Sequence, residues 1–248
     1  MPGDAAGRDR APAPGRGRPD NQRNSGTPEP RKYDPMNSPT QAQALLERLD
    51  GTKLLNTEIR TIAKELGKSS DLAAQLWENG GFNARMLSLL ILDLKKVDVS
   101  YMERLVSDLV GADAKEQSQL LDWLIANVIM KKAPLKKATE RWRDDPSTLR
   151  QRVFWSVQAR SVRAENHALN EQLLEHVERE LAGASEKVQW NMNWCAAQIG
   201  IADERLRGRC IALGERLGLY RDYKVSKGCT SPYLPIWIGS VVGKKASA

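Results

Sequence analysis

From residue 40 onward, apolar residues recur at three- and four-residue spacing along nearly the whole chain, which predicts helices with one buried face. Ile59, Ile62, Ala63 and Leu66 share one side of a segment that Asn56 can cap and Gly67 ends. Ser70 can cap the next segment, in which Leu72, Leu76 and Trp77 are apolar, and Asn79-Gly80-Gly81 closes it. A third helix over 82–95 is dense in Met86, Leu87, Leu89, Leu90, Ile91 and Leu94. Asp98 then caps a helix carrying Met102, Leu105, Val106 and Leu109. More helices are expected near 115–130, 134–143, 147–162, 165–182, 186–199 and 203–217. Ser185 and Asp203 serve as their caps, and Gly183, Gly200 and Gly218 as stops. No stretch alternates at period 2 for long enough to form a strand.

These helices pair at intervals of roughly 30–40 residues, the range of helical-repeat stacks. Each hairpin leaves an apolar stripe that only its neighbour can bury, so an all-α stack of hairpins with a concave face is favoured over a compact bundle. The organisation expected is a tail over 1–39, a helical stack over 40–218 and a segment over 219–248. Residues 1–39 hold eight of the twelve prolines and almost no apolar side chains, which favours a disordered Pro/Arg-rich tail. An inert extension and a DNA tether are both open for it. After Gly218, aromatic residues and Pro232 and Pro235 without helical period predict an extended segment packed over the last hairpin, frayed over 239–248.

Composition changes this picture in one respect. Hydrophobic residues make up 41% of the chain, enough for a core through most of its length, and the net charge is +7. Residues 131–163 carry ten basic side chains against three acidic ones, so the whole surplus sits in this stretch. Such a local excess favours an anionic partner, nucleic acid being the commonest, against a merely solvated basic face. Cys195, Cys210 and Cys229 are widely and unequally spaced, and His167 and His176 are the two histidines. No metal-ligand spacing arises, so no metal and no cofactor are expected, and the thiols are read as reduced. With no apolar run of membrane length and no signal peptide, a cytoplasmic, soluble monomer is expected.

Candidate chemistry concentrates on three helices. Trp123 and Asn127 stand four apart and share a helix face. Lys187, Trp190, Asn191, Trp194 and Gln198 fall along one side of the helix after Ser185. A buried ridge does not ordinarily mix Lys, Asn and Gln with Trp, whereas a ligand face does. Arg150 and Arg152 open the 147–162 helix, with Trp155 following, and Lys131 and Lys132 precede it. Guanidinium groups suit phosphate, and indole faces suit stacking or cation–π contact. Trp77, Trp142 and Trp237 read as structural wedges, and Cys195 as a packed thiol.

Residues 59–94 include Ile59-Arg60-Thr61-Ile62-Ala63-Lys64-Glu65-Leu66-Gly67-Lys68, Leu76-Trp77-Glu78-Asn79-Gly80 and Ala84-Arg85-Met86-Leu87. They resemble the opening repeats of the DNA alkylation repair family of HEAT-like repeat DNA glycosylases. Trp190-Asn191-Met192-Asn193-Trp194-Cys195 and Gly228-Cys229-Thr230-Ser231-Pro232 are similar to a divergent branch of that family, so the resemblance spans about 40–238. It implies a HEAT-like solenoid that binds duplex DNA, alkylated or not, in its concavity, and excision of cationic N-alkylated purines without base flipping. In such a site aromatic faces favour the cationic sugar and base, and a carboxylate stabilises oxocarbenium character.

The family's Trp-x-x-x-Asp falls on Trp123 and Asn127, which replaces the carboxylate by an amide. Its phosphate-binding Arg matches Arg152, with Arg150 nearby, and its Trp-x-x-Arg falls on Trp194 and Ala197. Asp122, on another side of the helix, is the substitute carboxylate to consider. The site implied has Trp123, Asn127, Trp194 and Asp122 at the reacting bond, and Arg150, Arg152, Lys187, Trp190, Lys131 and Lys132 on the DNA. A non-catalytic DNA-structure binder and a protein-interaction scaffold remain as alternatives on the same fold.

Overall fold

The structure is a computed structural model that describes residues 38–51 and 54–246. The tail expected over 1–39 falls outside the described residues as far as position 37. Described residues form twelve α-helices and no strand. They are α1 (Ser38–Leu49), α2 (Asn56–Leu66), α3 (Ser70–Asn79), α4 (Phe82–Ile91), α5 (Val99–Ser107) and α6 (Ala114–Asn127). There follow α7 (Ala133–Ala138), α8 (Thr148–Ser161), α9 (His167–Glu180), α10 (Glu186–Ala202), α11 (Glu204–Leu217) and α12 (Leu234–Ala246).

The even-numbered helices form one layer, each packed on the next from α2 through α4, α6, α8 and α10 to α12. Behind them α1 packs on α3, α5 on α7 and α9 on α11, while α3 with α4 and α9 with α10 close antiparallel hairpins. This is the stack of helical hairpins expected from the periodicity. One continuous core runs through it, from Leu45 and Ile59 to Leu234 and Ile238. Trp77 and Trp142 are buried in that core, and the Trp77 indole donates to Asp108 Oδ2 at 2.8 Å.

Local signals differ from expectation at several places. Asn56 is inside α2 rather than capping it; Glu58 Oε2 accepts the Leu55 N–H at 2.7 Å, and Asn56 Oδ1 instead accepts from Gln119 Nε2. Ser69, not Ser70, caps α3, its hydroxyl accepting the Leu72 N–H. Gly200 does not stop α10, which continues to Ala202. A Cβ there would stand 2.6 Å from Ile238 Cδ1, so Gly200 is a site of close helix approach.

A further difference is the C-terminal segment, which as far as 233 is irregular, with turns at 219–222 and 227–228, rather than extended. Leu234–Ala246 is the helix α12, because Pro235 sits in the first turn, where a missing N–H costs nothing. Leu234, Ile238 and Val242 then repeat at four-residue spacing and pack against the core. Gly214 admits this helix as Gly200 does, since a Cβ there would meet Leu234 Cβ and Pro235 Cδ at 2.7 Å.

Candidate functional site

Helices α6, α8 and α10 lie side by side in the even layer, and their polar contacts fix a parallel register. Arg152 reaches Gln117 and Ser118, Asn191 reaches Ser156, and Arg160 reaches Asp122 and stacks on Trp194. Side chains of the preceding residue cap α6 and α8: Asp113 accepts the Lys115 and Glu116 N–H groups, and Ser147 accepts that of Arg150, whereas Ser185, expected to cap α10, makes no side-chain cap hydrogen bond. Asn191 is buried and donates to Ser156 Oγ at 2.6 Å, which locks α10 against α8.

On the solvent side of this trio is a cavity of about 400 Å³, walled by Arg152, Arg160, Lys187, Trp190, Trp194 and Asp122. Gln117 organises its cations. Its amide oxygen accepts from Arg152 at 3.4 Å and from Lys187 at 3.3 Å, while its own N–H is fixed on the Leu109 carbonyl. Neither cation has a salt-bridge partner among the described residues. Arg152 is 8% exposed and its Nε has no partner. Burial pulls the Arg152 and Arg160 pKa values down from the ordinary arginine range, with the Asp122 charge opposing. An arginine still stays protonated near neutral pH.

Arg160 lies 4.5 Å from the Trp194 ring centroid and 3.4 Å from Asp122 Oδ1. The far wall comes from beyond α11. Tyr220 meets Trp190 edge-on at 5.3 Å, and Tyr223 lies 5.8 Å from Trp190. Tyr220 holds a left-handed φ of 62° two residues after Gly218, and its hydroxyl is buried without a partner. Burial, with Glu186 and Tyr223 nearby, pushes that phenol up to about 12. Hollows of about 520 and 570 Å³ beside α1 are larger, but neither is lined by a Trp or an Arg.

The structure thus gathers Asp122, Arg152, Lys187, Trp190 and Trp194 around one cavity. It does not bring the other expected residues there. Trp123 is 8% exposed beneath the Arg60 guanidinium, which stands 4.6 Å from its ring. Asn127 donates to the Trp123 carbonyl of its own helix. Arg150 is two residues from Arg152, hence ~200° around the helix; it pairs with Asp145 at 3.1 Å and covers Trp142. Lys132 donates to the Leu94 and Val97 carbonyls, and Lys131 is exposed outside the cavity. Trp155 is core, edge-on to Phe154.

Much of the basic stretch is neutralised where it stands: Lys137 pairs with Glu140, Arg141 with Glu103, and Arg143 with Asp144 and Glu180. From that stretch Arg152 and Arg160 line the cavity. Arg160 was not singled out by its residue type, yet its spacing of eight from Arg152 places it on roughly the same helix face. Tyr220 and Tyr223 carry no periodic signal at all.

Among the described residues no group of His, Cys, Asp and Glu is placed to hold a metal ion, and no helix is long and apolar enough to cross a membrane. The three cysteines are free. Burial pushes the Cys195 and Cys210 thiols up, the latter to about 12.

Residues 51–215 match the sequence profile of the DNA alkylation repair enzyme family. The fold matches a solved structure described as a new family of proteins related to the HEAT-like repeat DNA glycosylases with affinity for branched DNA structures. That match has a TM-score of 0.59 and 15% identity over 84% of this chain and 88% of the other. Curated proteins give no significant match. A profile match across about two thirds of the chain, joined to the shared hairpin architecture, carries the conclusion that this protein belongs to the DNA alkylation repair enzyme family and has the HEAT-like repeat DNA glycosylase fold.

Proposed function

We propose that this protein binds DNA across the α6–α8–α10 face, as a DNA-binding member of its repair family. The observation that carries this reading is the convergence of Arg152 and Lys187 on one amide oxygen with no salt-bridge partner for either. Two cations that share an amide oxygen rather than a carboxylate form a ready site for a phosphate, and Arg160 adds a third positive charge beside them. The indoles of Trp190 and Trp194 supply contact surface between those charges. Fluorescence anisotropy with a labelled duplex at low salt tests this. The reading expects saturable binding that weakens severalfold in Arg160→Gln and Lys187→Gln, and absence of binding overturns it.

A second reading, excision of a cationic N-alkylated purine, is favoured by one further observation. Asp122 places a carboxylate on the cavity beside Trp194, although Asn127 supplies only an amide. A carboxylate there can stabilise positive charge developing on the sugar as the base leaves. Its engagement with Arg160 partly neutralises it, which is why binding is the primary reading. Release of methylated purine from treated duplex under protein excess, lost in Asp122→Asn, is the outcome this reading requires. Release no faster than without protein contradicts it.

A further inference from the structure

Resting on that DNA-face reading, we propose that the cavity accepts one unpaired nucleotide, its base stacked at the corner made by Trp190 and Tyr223. The phosphate of that nucleotide lies against Lys187 and Arg152.

Several features point to this occupant. Trp190 and Tyr223 are 40% and 52% exposed, so two large rings stand in water beside a cation cluster rather than in the core. One of the Trp194 faces is already covered by Arg160, which leaves Trp190 and Tyr223 as the more exposed aromatic rings of the cavity. Base-paired nucleotides inside a duplex offer a protein their edges, whereas an unpaired base offers a full π-face. Aromatic rings flanking a phosphate site therefore match an unpaired nucleotide better than continuous duplex.

The wall itself is unusual. Tyr220 sits in the left-handed region, where a side chain with a Cβ is strained, and its buried hydroxyl donates to nothing. The turn that imposes this conformation sets Tyr220 edge-on against Trp190 and so fixes the cavity wall. Tyr220 and Tyr223 both lie beyond residue 215, where the profile match ends. The cavity of about 400 Å³ lies within the ~300–1,000 Å³ typical of small-ligand pockets. Asp122 and Glu186 at its edge can accept from the amino groups of a base.

The test compares a labelled duplex carrying one bulged 2-aminopurine with the same duplex fully paired, using the full chain and its Tyr223→Ala and Trp190→Ala variants. Tyr223 is exposed in an irregular segment, so its substitution leaves the helices intact, and circular dichroism checks this. The wild type is expected to bind the bulged duplex about tenfold tighter. Fluorescence of the bulged base should be quenched, and Tyr223→Ala should abolish the quenching and bring the ratio of bulged to paired affinity to about one. Equal wild-type affinity for the two duplexes, or a preference that survives both substitutions, overturns the proposal and leaves the DNA-face reading standing. Failure to bind either duplex overturns both.

Discussion

Arg160 lies over the Trp194 ring at 4.5 Å and reaches Asp122 at 3.4 Å, so one guanidinium joins the indole of α10 to the carboxylate of α6. This contact places a cation, an aromatic ring and an acid within one cavity. It also makes the charge on Asp122 the variable that separates binding from catalysis.

Asp122→Asn has opposite consequences in the two readings. If the face only binds, the substitution removes a charge that repels phosphate and frees Arg160, and duplex affinity at low salt rises about threefold. If Asp122 supports excision, single-turnover release of methylated purine falls by about 10²–10³. Titration and base-release assays on the same preparation distinguish them.

Asn193 ties the C-terminal segment to α10. It is 1% exposed and donates to the Pro232 carbonyl at 2.9 Å. Asn193→Ala leaves that carbonyl unpaired and lowers unfolding stability by about 1–3 kcal/mol in urea titrations. Limited proteolysis near residues 221–230 should accelerate in the variant.

Gly214→Ala tests how α12 is seated. The added methyl would stand 2.7 Å from both Leu234 Cβ and Pro235 Cδ, neither of which is the end of a flexible chain. Overpacking of this kind costs about 1–3 kcal/mol. Thermal unfolding should show the loss, whereas Gly208→Ala, where a Cβ meets nothing within 4 Å, should not destabilise.

Asp203 carries a pH dependence. Burial pushes its carboxyl up, but hydrogen bonds from His167 and Asn170, the His167 charge and the Arg205 N–H outweigh burial and hold it below the ordinary value. A depressed folded-state pKa contributes stability above the unfolded value of about 3.9, lost as pH falls through the folded value. Wild type therefore loses stability as pH falls below about 4, in urea titrations at pH 7 and pH 3. Asp203→Asn is less stable at pH 7 and loses less between the two.

The stack of hairpins was legible because burial imposes a helical period on every element, as Ile59, Ile62 and Leu66 illustrate. Single caps were less legible: Ser69 and Ser70 are chemically alike, and backbone geometry decides between them. Gly200 shows the same limit, since a helix stop and a close-packing contact ask for the same residue. At the site, the Lys187–Trp190–Trp194 stripe could be read because all three share one helix face. Arg150 and Arg152 could not be separated by composition, yet they point to opposite sides of α8. Tyr220 and Tyr223 reach the cavity through an irregular turn, so no spacing rule announces them. The charge surplus over 131–163 misled in part, because acids distant in sequence, such as Glu103 and Glu180, neutralise several of its members.

The most direct test of the DNA-face account is the salt dependence of duplex binding in Lys187→Gln, Arg160→Gln and Arg150→Gln, measured from low to moderate salt. Each phosphate contact contributes about 0.9 to the slope of log Kobs against log salt concentration. The account predicts that Lys187→Gln and Arg160→Gln each lower the slope by about 1, and that Arg150→Gln, paired with Asp145 away from the cavity, leaves it unchanged. A slope insensitive to Lys187 and Arg160 but reduced in Arg150→Gln would contradict it and place the DNA on another surface.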